Sequence, residues 1–558
     1  MVEIIGKIKD KIETVESLIN SQENHRAINL LLDIIDFFIE IGDLKNRDKF
    51  LLKLNNCYRY IALQYSKQQD FFEAAEIYCS AAFIQKQHDK NELAQQLFNE
   101  AIDCFAYAGK TAISRKFYKE ASSLYCTAGN YAKNELQDKS KSNNYYKNAI
   151  NALKKELSTQ SNQEDPSNLC QNQLELGKIF EYLEDYPTAI TQYKKVVEFS
   201  TSKKLYSFIA ESFQYMSACY ECLGNNSAVT DCLNNAVHYR LLEAKKHSDN
   251  NLPLEAVQNF IAAATCVSRL KNCEKLLMDI LQSEANCFLT AAKWNAENGQ
   301  ILQAAYYERN AAHCYSQIGK SETSIDLLLT AAEKLLSIDE YYGAAHSYQD
   351  VSLYQEQVGN LVKAANYAFQ AANSAQIIGD SEFAIQNFKR AAQIYQSIGY
   401  IDKVYSCNLK LAECYVNLAE LQFESKKFHI SAYLYYQAGT FYSNSDEKQT
   451  KVSCYEKAIE LYVKAIHIAI RDEEQLLASY SACCATLVCL ILKQPKRAET
   501  ILNNIQKNSQ NSYYQLSDSI IKVFKTKNSL EYNVIKEKFS KIIQKSPEIK
   551  NMLKLIKN

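Results

Sequence analysis

Glycines 299, 319, 359, 379 and 399 stand on one 20-residue grid, with Asp339 in the slot between. Alanines keep the same step at 311–312, 331–332, 371–372 and 391–392, and again at 304, 344, 364 and 384, where Ser324 fills the gap. A helix of about fifteen residues runs roughly 22 Å. A glycine just past its end takes the left-handed conformation that satisfies the last carbonyls and turns the chain back. Two such helices make one hairpin, so the repeat is 40 residues. That is longer than the ~34 of tetratricopeptide (TPR) repeats and near the ~40–47 of other helical solenoids. In AAYYERNAAHCYSQIG, positions 304, 305, 311, 312, 315 and 318 form one apolar face. A hairpin cannot bury that face alone, so hairpins must stack.

Composition supports the same class. Only 13 Gly and 5 Pro occur in 558 residues, too few for the turns of an all-β protein. Pro187, Pro253 and Pro547 stand where helices would start, and Ser546-Pro547-Glu548 reads as N-cap, N1 and N2. The expected fold is an all-α, TPR-like, right-handed solenoid of antiparallel hairpins with about 26 helices. A formal charge of −1 excludes a general nucleic-acid binder. The charged opening, with Lys7, Lys9, Asp10 and Lys11, is not a secretory signal, and the longest apolar run (482–492) is shorter than a membrane span. A cytoplasmic protein with 18 reduced cysteines is expected.

Four segments follow from the wording: N-terminal repeats over 1–157, repeats with two irregular loops over 158–253, the regular array over 254–420, and a C-terminal bundle with a Lys-rich end over 421–558. The loops are STQSNQEDPSN (158–168) and HSDNNLP (247–253). In the first segment the beat continues through Ala81, Ala101 and Ala121, and the turns are expected at QKQHDKNE, YAGKTA and TAGNYA, with Gly109 and Gly129 as turn glycines.

No catalytic constellation emerges. Gly109-Lys110-Thr111 and Gly319-Lys320-Ser321 lack the earlier glycine of a P-loop, since Cys104 and Cys314 stand there, and each reads as a helix C-cap followed by a new N-terminus. Cys219 and Cys222 lack the second ligand pair of a zinc site and read as core thiols on one helix face. Cys483 and Cys484 are expected to pack, without both pointing inward. His313, His346 and His467 are scattered and read as surface or interhelical residues, with no metal or cofactor implied. The 39 tyrosines, against a single Trp294, read mainly as inter-repeat packing.

The first block resembles the SNAP family, the soluble attachment proteins that link SNARE bundles to the ATPase NSF. The likeness rests on EAAEIYCSAAFIQKQ (73–87), FNEAIDCFAYAGK (98–110), FYKEASSLYCTAGNYAK (117–133) and NNYYKNAINALKK (143–155). Ala128-Gly129-Asn130 and Asn148-Ala149-Ile150 match the family's AGN helix end and following Ala–Ile helix. A weaker likeness covers AYLYYQAGTFYSN (432–444), VSCYEKAIELY (452–462) and NMLKLIK (551–557), the last similar to the family's closing helix. The chain is nearly twice the family's usual length. Phe37-Phe38 read as helix rather than as the family's membrane-inserting loop, and Lys557-Asn558 stand where the family carries an acidic tail and a leucine that stimulate the ATPase. The resemblance therefore implies the fold more strongly than the disassembly activity.

What it implies is a non-enzymatic adaptor for a SNARE bundle and an NSF-like ATPase, with a peripheral membrane contact. The implied partner-binding residues are Lys110, Arg115, Lys116 and Lys119, expected on one helix, and Met552, Leu553, Lys554 and Lys557 at the end. Ten Lys against three Glu between 522 and 557 add an electrostatic lead toward an acidic partner or membrane surface.

Overall fold

The computed structural model of the protein describes residues 2–40, 43–159, 165–443, 447–472, 474–505, 511–526 and 529–556. Among them it contains twenty-seven α-helices and no strand. The chain divides into two units, Met1–Leu277 and Met278–Asn558, each an all-α solenoid in which consecutive helices pack as antiparallel hairpins.

The first unit opens with α1 (Val2–Asn20), α2 (Asn24–Glu40) and α3 (Leu44–Lys67). Next come α4 (Phe71–Gln87), α5 (Asn91–Ser114), α6 (Tyr118–Asn134) and α7 (Lys139–Thr159). It closes with α8 (Pro166–Tyr182), α9 (Tyr186–Lys203), α10 (Tyr206–Cys222), α11 (Asn226–Asp249) and α12 (Pro253–Val267). The boundary with the second unit falls in the first turn of α13 (Glu274–Glu297). The regular array of the second unit is α14 (Ile301–Gln317), α15 (Ser321–Leu336), α16 (Tyr341–Gln357), α17 (Leu361–Ile377), α18 (Ser381–Ser397) and α19 (Ile401–Glu424). Longer helices follow as α20 (Phe428–Ser443), α21 (Lys448–Arg471) and α22 (Gln475–Ile491). The end is built from α23 (Pro495–Asn503), α24 (Ser512–Thr526), α25 (Ser529–Lys538), α26 (Ser540–Lys545) and α27 (Pro547–Ile556).

One turn recurs. After α16, Gly359 adopts φ 81°, its N–H donates to the Glu356 carbonyl and the Asn360 N–H donates to the Gln355 carbonyl. That is a Schellman cap in which the residue after the left-handed position also serves as N-cap of the next helix. The same pair of bonds closes α14 at Gly319-Lys320 and α8 at Glu184-Asp185. Asp185 adds its side chain, accepting from the Thr188 N–H at 3.2 Å, as Asp380 does from Phe383 at 3.0 Å. The empty slot at 339 obeys the same rule: Asp339 itself is left-handed at φ 57°.

Gly109 and Gly129 do not sit in turns. Gly109 lies inside α5 and Gly129 inside α6, both buried and helical. An added Cβ on Gly129 would lie 2.6 Å from the Tyr146 ring, and one on Gly109 would lie 3.0 Å from Tyr125. Gly177 receives Tyr193 and Gly439 receives Tyr455 in the same way, at 2.3 and 2.6 Å. The missing side chain makes a notch that admits a tyrosine from the next helix. The phenol then bonds close to the notch: Tyr146 donates to Asn130 at 2.7 Å, Tyr193 to Glu181, and Tyr455 pairs with Thr440. The turns of this region use other residues in the left-handed position, among them Gln69, Asp89, Lys116 and Glu184.

Hairpins are stitched to their neighbours at the repeat distance. Arg59 pairs with Glu100, Lys90 with Asp48 and Lys141 with Asp103 in the first unit, and Arg309 with Asp350 in the second. The apolar run at 482–492 forms most of α22, which packs against α21, α23, α24 and α27. Cys483 and Cys484 are both fully buried, against the expectation that one would face out, because neighbours cover α22 on more than one side.

Candidate partner-binding surface

The four basic residues of the first block do not share a helix. Lys110 belongs to the last turns of α5, Arg115 is its C-cap, Lys116 is the left-handed turn residue at φ 67°, and Lys119 lies in the first turn of α6. They meet at a helix–helix corner because Phe117, not a glycine-flanked loop, is the N-cap of α6. All four are exposed. Among the described residues none of them is in an ion pair, whereas neighbouring lysines are spent inside the fold: Lys86 on Glu135, Lys139 on Glu184 and Lys141 on Asp103. On α7, Lys147, Lys154 and Lys155 are likewise exposed and in no ion pair among the described residues.

Aromatic surface accompanies the charge. Lys110 Nζ lies 5.1 Å from the centre of the Tyr107 ring, and Tyr107 packs against Phe71 at 5.5 Å. Tyr107 is 52% exposed and Phe117 56%. Cations beside exposed aromatic rings suit a polar, acidic protein face, where arginine and aromatic residues supply most of the contact energy.

The C-terminal residues part company. Met552 and Leu553 are buried at 0% and 1% exposure against the α22 core, and Tyr532 donates to the Leu553 carbonyl at 2.6 Å. They are anchors of α27, and the expectation that they contact a partner is corrected by that burial. Glu548 also holds the helix, accepting from Tyr480 at 2.9 Å and facing His429 at 3.5 Å. Lys554 remains exposed, and Lys557 lies outside the described residues. Part of the lysine surplus is neutralised locally: Lys522 pairs with Asp518 and Lys525 with Glu499.

The remaining motifs are structural. Gly319-Lys320-Ser321 is a turn, as expected, but Gly109-Lys110-Thr111 is continuous helix, with Thr111 bonded back to the Tyr107 carbonyl. Cys219 is buried while Cys222 is exposed, so the two do not share the core face. Burial pushes the thiols of Cys79, Cys314, Cys407 and Cys483 up to about 12, which removes the thiolate needed for reactivity. His313 bridges helices through Asp350 and Tyr354, His346 is wedged between Tyr342 and Phe383 at 4.6 Å from each, and His467 is exposed. No group of three or more His, Cys, Asp or Glu suited to a metal occurs among the described residues, and no described helix is long and apolar enough to cross a membrane.

These features define an all-α helical-repeat protein. The family model of the soluble NSF attachment protein, SNAP, matches residues 48–239, about a third of the chain. That segment, α3 to α11, is SNAP-like, and it contains the basic corner and three of the four glycine notches. The weaker likeness over 431–557 lies outside the match. No curated protein sequence matches the chain. Similar solved structures include Naa15/Naa10 bound to HypK-THB (13% identity, 99% of this chain and 96% of that chain, TM-score 0.22). Others are the apo form of RapI (14%, 55% and 98%, 0.22) and BtubC from P. vanneervenii (14%, 48% and 90%, 0.19).

Proposed function

We propose that this protein is a non-enzymatic adaptor that holds a helical or coiled-coil partner, a SNARE bundle by its SNAP likeness, and couples it to an NSF-like ATPase at a membrane surface in vesicle fusion or SNARE recycling. The observation that carries the reading is the basic corner: Lys110, Arg115, Lys116 and Lys119, exposed and in no ion pair among the described residues, inside the SNAP-like segment. Such a surface attracts an acidic bundle over a Debye length of about 8 Å at physiological salt, so binding is salt-sensitive. The test is binding of the full chain to an assembled SNARE bundle across a salt series. Wild type binds at low salt, and K110E/R115E/K116E weakens binding by about tenfold or more. No binding at low salt removes the SNARE reading and leaves a scaffold for another multiprotein assembly.

A further inference from the structure

A second surface, far along the chain from the basic corner, has its own chemistry. On α17, Lys363, Asn366, Tyr367 and Gln370 occupy one face at i, i+3, i+4 and i+7, and they line a groove of about 390 Å³ with Tyr395 of α18 and Lys403 of α19. Lys363 and Lys403 are 40 residues apart, so consecutive hairpins place a lysine at the same point of the repeat. Both are exposed, no carboxylate lines the groove, and neither lysine is in an ion pair among the described residues. Elsewhere in the same array the long cations are engaged: Arg309 with Asp350, Lys334 with Glu308, Arg390 with Glu356 and Lys410 with Glu413. The larger groove beside it, about 730 Å³, is lined by a single lysine, Lys389, which stands over the Tyr415 ring.

The groove is also oriented for a backbone. Tyr395 donates its phenol proton to Asn366 Oδ1 at 2.5 Å, which fixes the carboxamide and leaves its N–H groups for an incoming carbonyl. Tyr367 stacks on Tyr348 at 6.0 Å and makes a firm wall.

We propose that the α17–α19 groove binds an acidic peptide segment, its carboxylates on Lys363 and Lys403 and a backbone carbonyl on the Asn366 amide. The site is separate from the basic corner and does not depend on the SNARE reading. The probe is a fluorescently labelled hexaglutamate peptide, followed by anisotropy on the full chain at about 20 mM salt, where surface attraction is least screened. Wild type binds, and K363E/K403E weakens binding about tenfold or more, with K363A/K403A in the same direction by less. Matching circular-dichroism melts show that these exposed changes leave the fold intact. K110E/R115E/K116E leaves hexaglutamate binding unchanged, and K363E/K403E leaves SNARE-bundle binding unchanged, so the two proposals fail separately. Failure of hexaglutamate to bind at low salt overturns the assignment, as does equal affinity in K363E/K403E. Free glutamate competing as well as the peptide overturns the peptide reading.

Discussion

Apart from Gly224, which holds a turn, and Gly343, which is buried inside α16, the SNAP-like helices of the first unit and the regular array of the second spend glycine in opposite places. Over α3 to α9, glycines sit inside helices as notches for tyrosines of the following helix, and Gln69, Asp89, Lys116 and Glu184 hold left-handed turns. Over α14 to α19, glycines 299, 319, 359, 379 and 399 hold the turns at φ 75–81°, and paired alanines let the helices approach. One region reaches close packing through a large ring entering a hole, the other through small residues on both sides. The first ties a helix to its successor by a specific knob, whereas the second packs through small residues recurring on one grid. Gly439 and Tyr455 repeat the knob-and-notch device in the second unit, at the place where the sequence again resembles the SNAP wording.

The sharpest way to break this comparison is to fill a notch. G177A drives a methyl to 2.3 Å from the Tyr193 ring, and the expected loss is about 3 kcal/mol, the upper range for overpacking. Urea unfolding measures it, and the double variant G177A/Y193L, with a smaller side chain on the facing helix, recovers a substantial part. A loss under about 0.5 kcal/mol, the usual surface value, means the notch is not a packing device. G359A meets no atom within 4 Å, so its cost is conformational, about 1 kcal/mol from placing a side chain at positive φ. The reverse change in the first unit, Q69G at φ 64°, gains about 0.5 kcal/mol in the same assay. Equal costs for G177A and G359A would erase the distinction between the regions.

A smaller effect appears with pH. Burial, and after it a neighbouring arginine (Arg47 and Arg309 respectively), lowers the pKa of His88 in the first unit and His346 in the second. The unfolded chain then binds more protons than the folded one below about pH 6.5, so stability falls as pH drops through that value. H346Q flattens the slope, read from melting temperatures between about pH 5 and 8, where histidine charge changes.

Much of this was legible in the residues. The grid at 299–399 announced its turns because a left-handed position strongly favours glycine, and the five prolines all start helices. Gly109 and Gly129 misled because their 20-residue separation fits a turn as well as a notch. No tyrosine spacing separates the two uses: Tyr125 and Tyr146 stand 16 and 17 positions later, but Tyr315, Tyr395 and Tyr415 also stand 16 positions after the turn glycines 299, 379 and 399. Met552 and Leu553 were misplaced because family wording does not encode burial. Their spacing with Ile549 and Ile556, at i, i+3, i+4 and i+7, marks a core face. That Lys110, Arg115, Lys116, Lys363 and Lys403 form no ion pair among the described residues is a tertiary fact. It depends on where carboxylates from other helices fall, which spacing along one helix cannot express.

Hydrogen exchange of the full chain with and without an assembled SNARE bundle tests the central claim most directly, that the working part of the SNAP-like unit is the corner between α5 and α6. The account predicts slowed exchange at 107–119, lost in K110E/R115E/K116E. Protection confined to other helices, or none at a bundle concentration that binds, would contradict it.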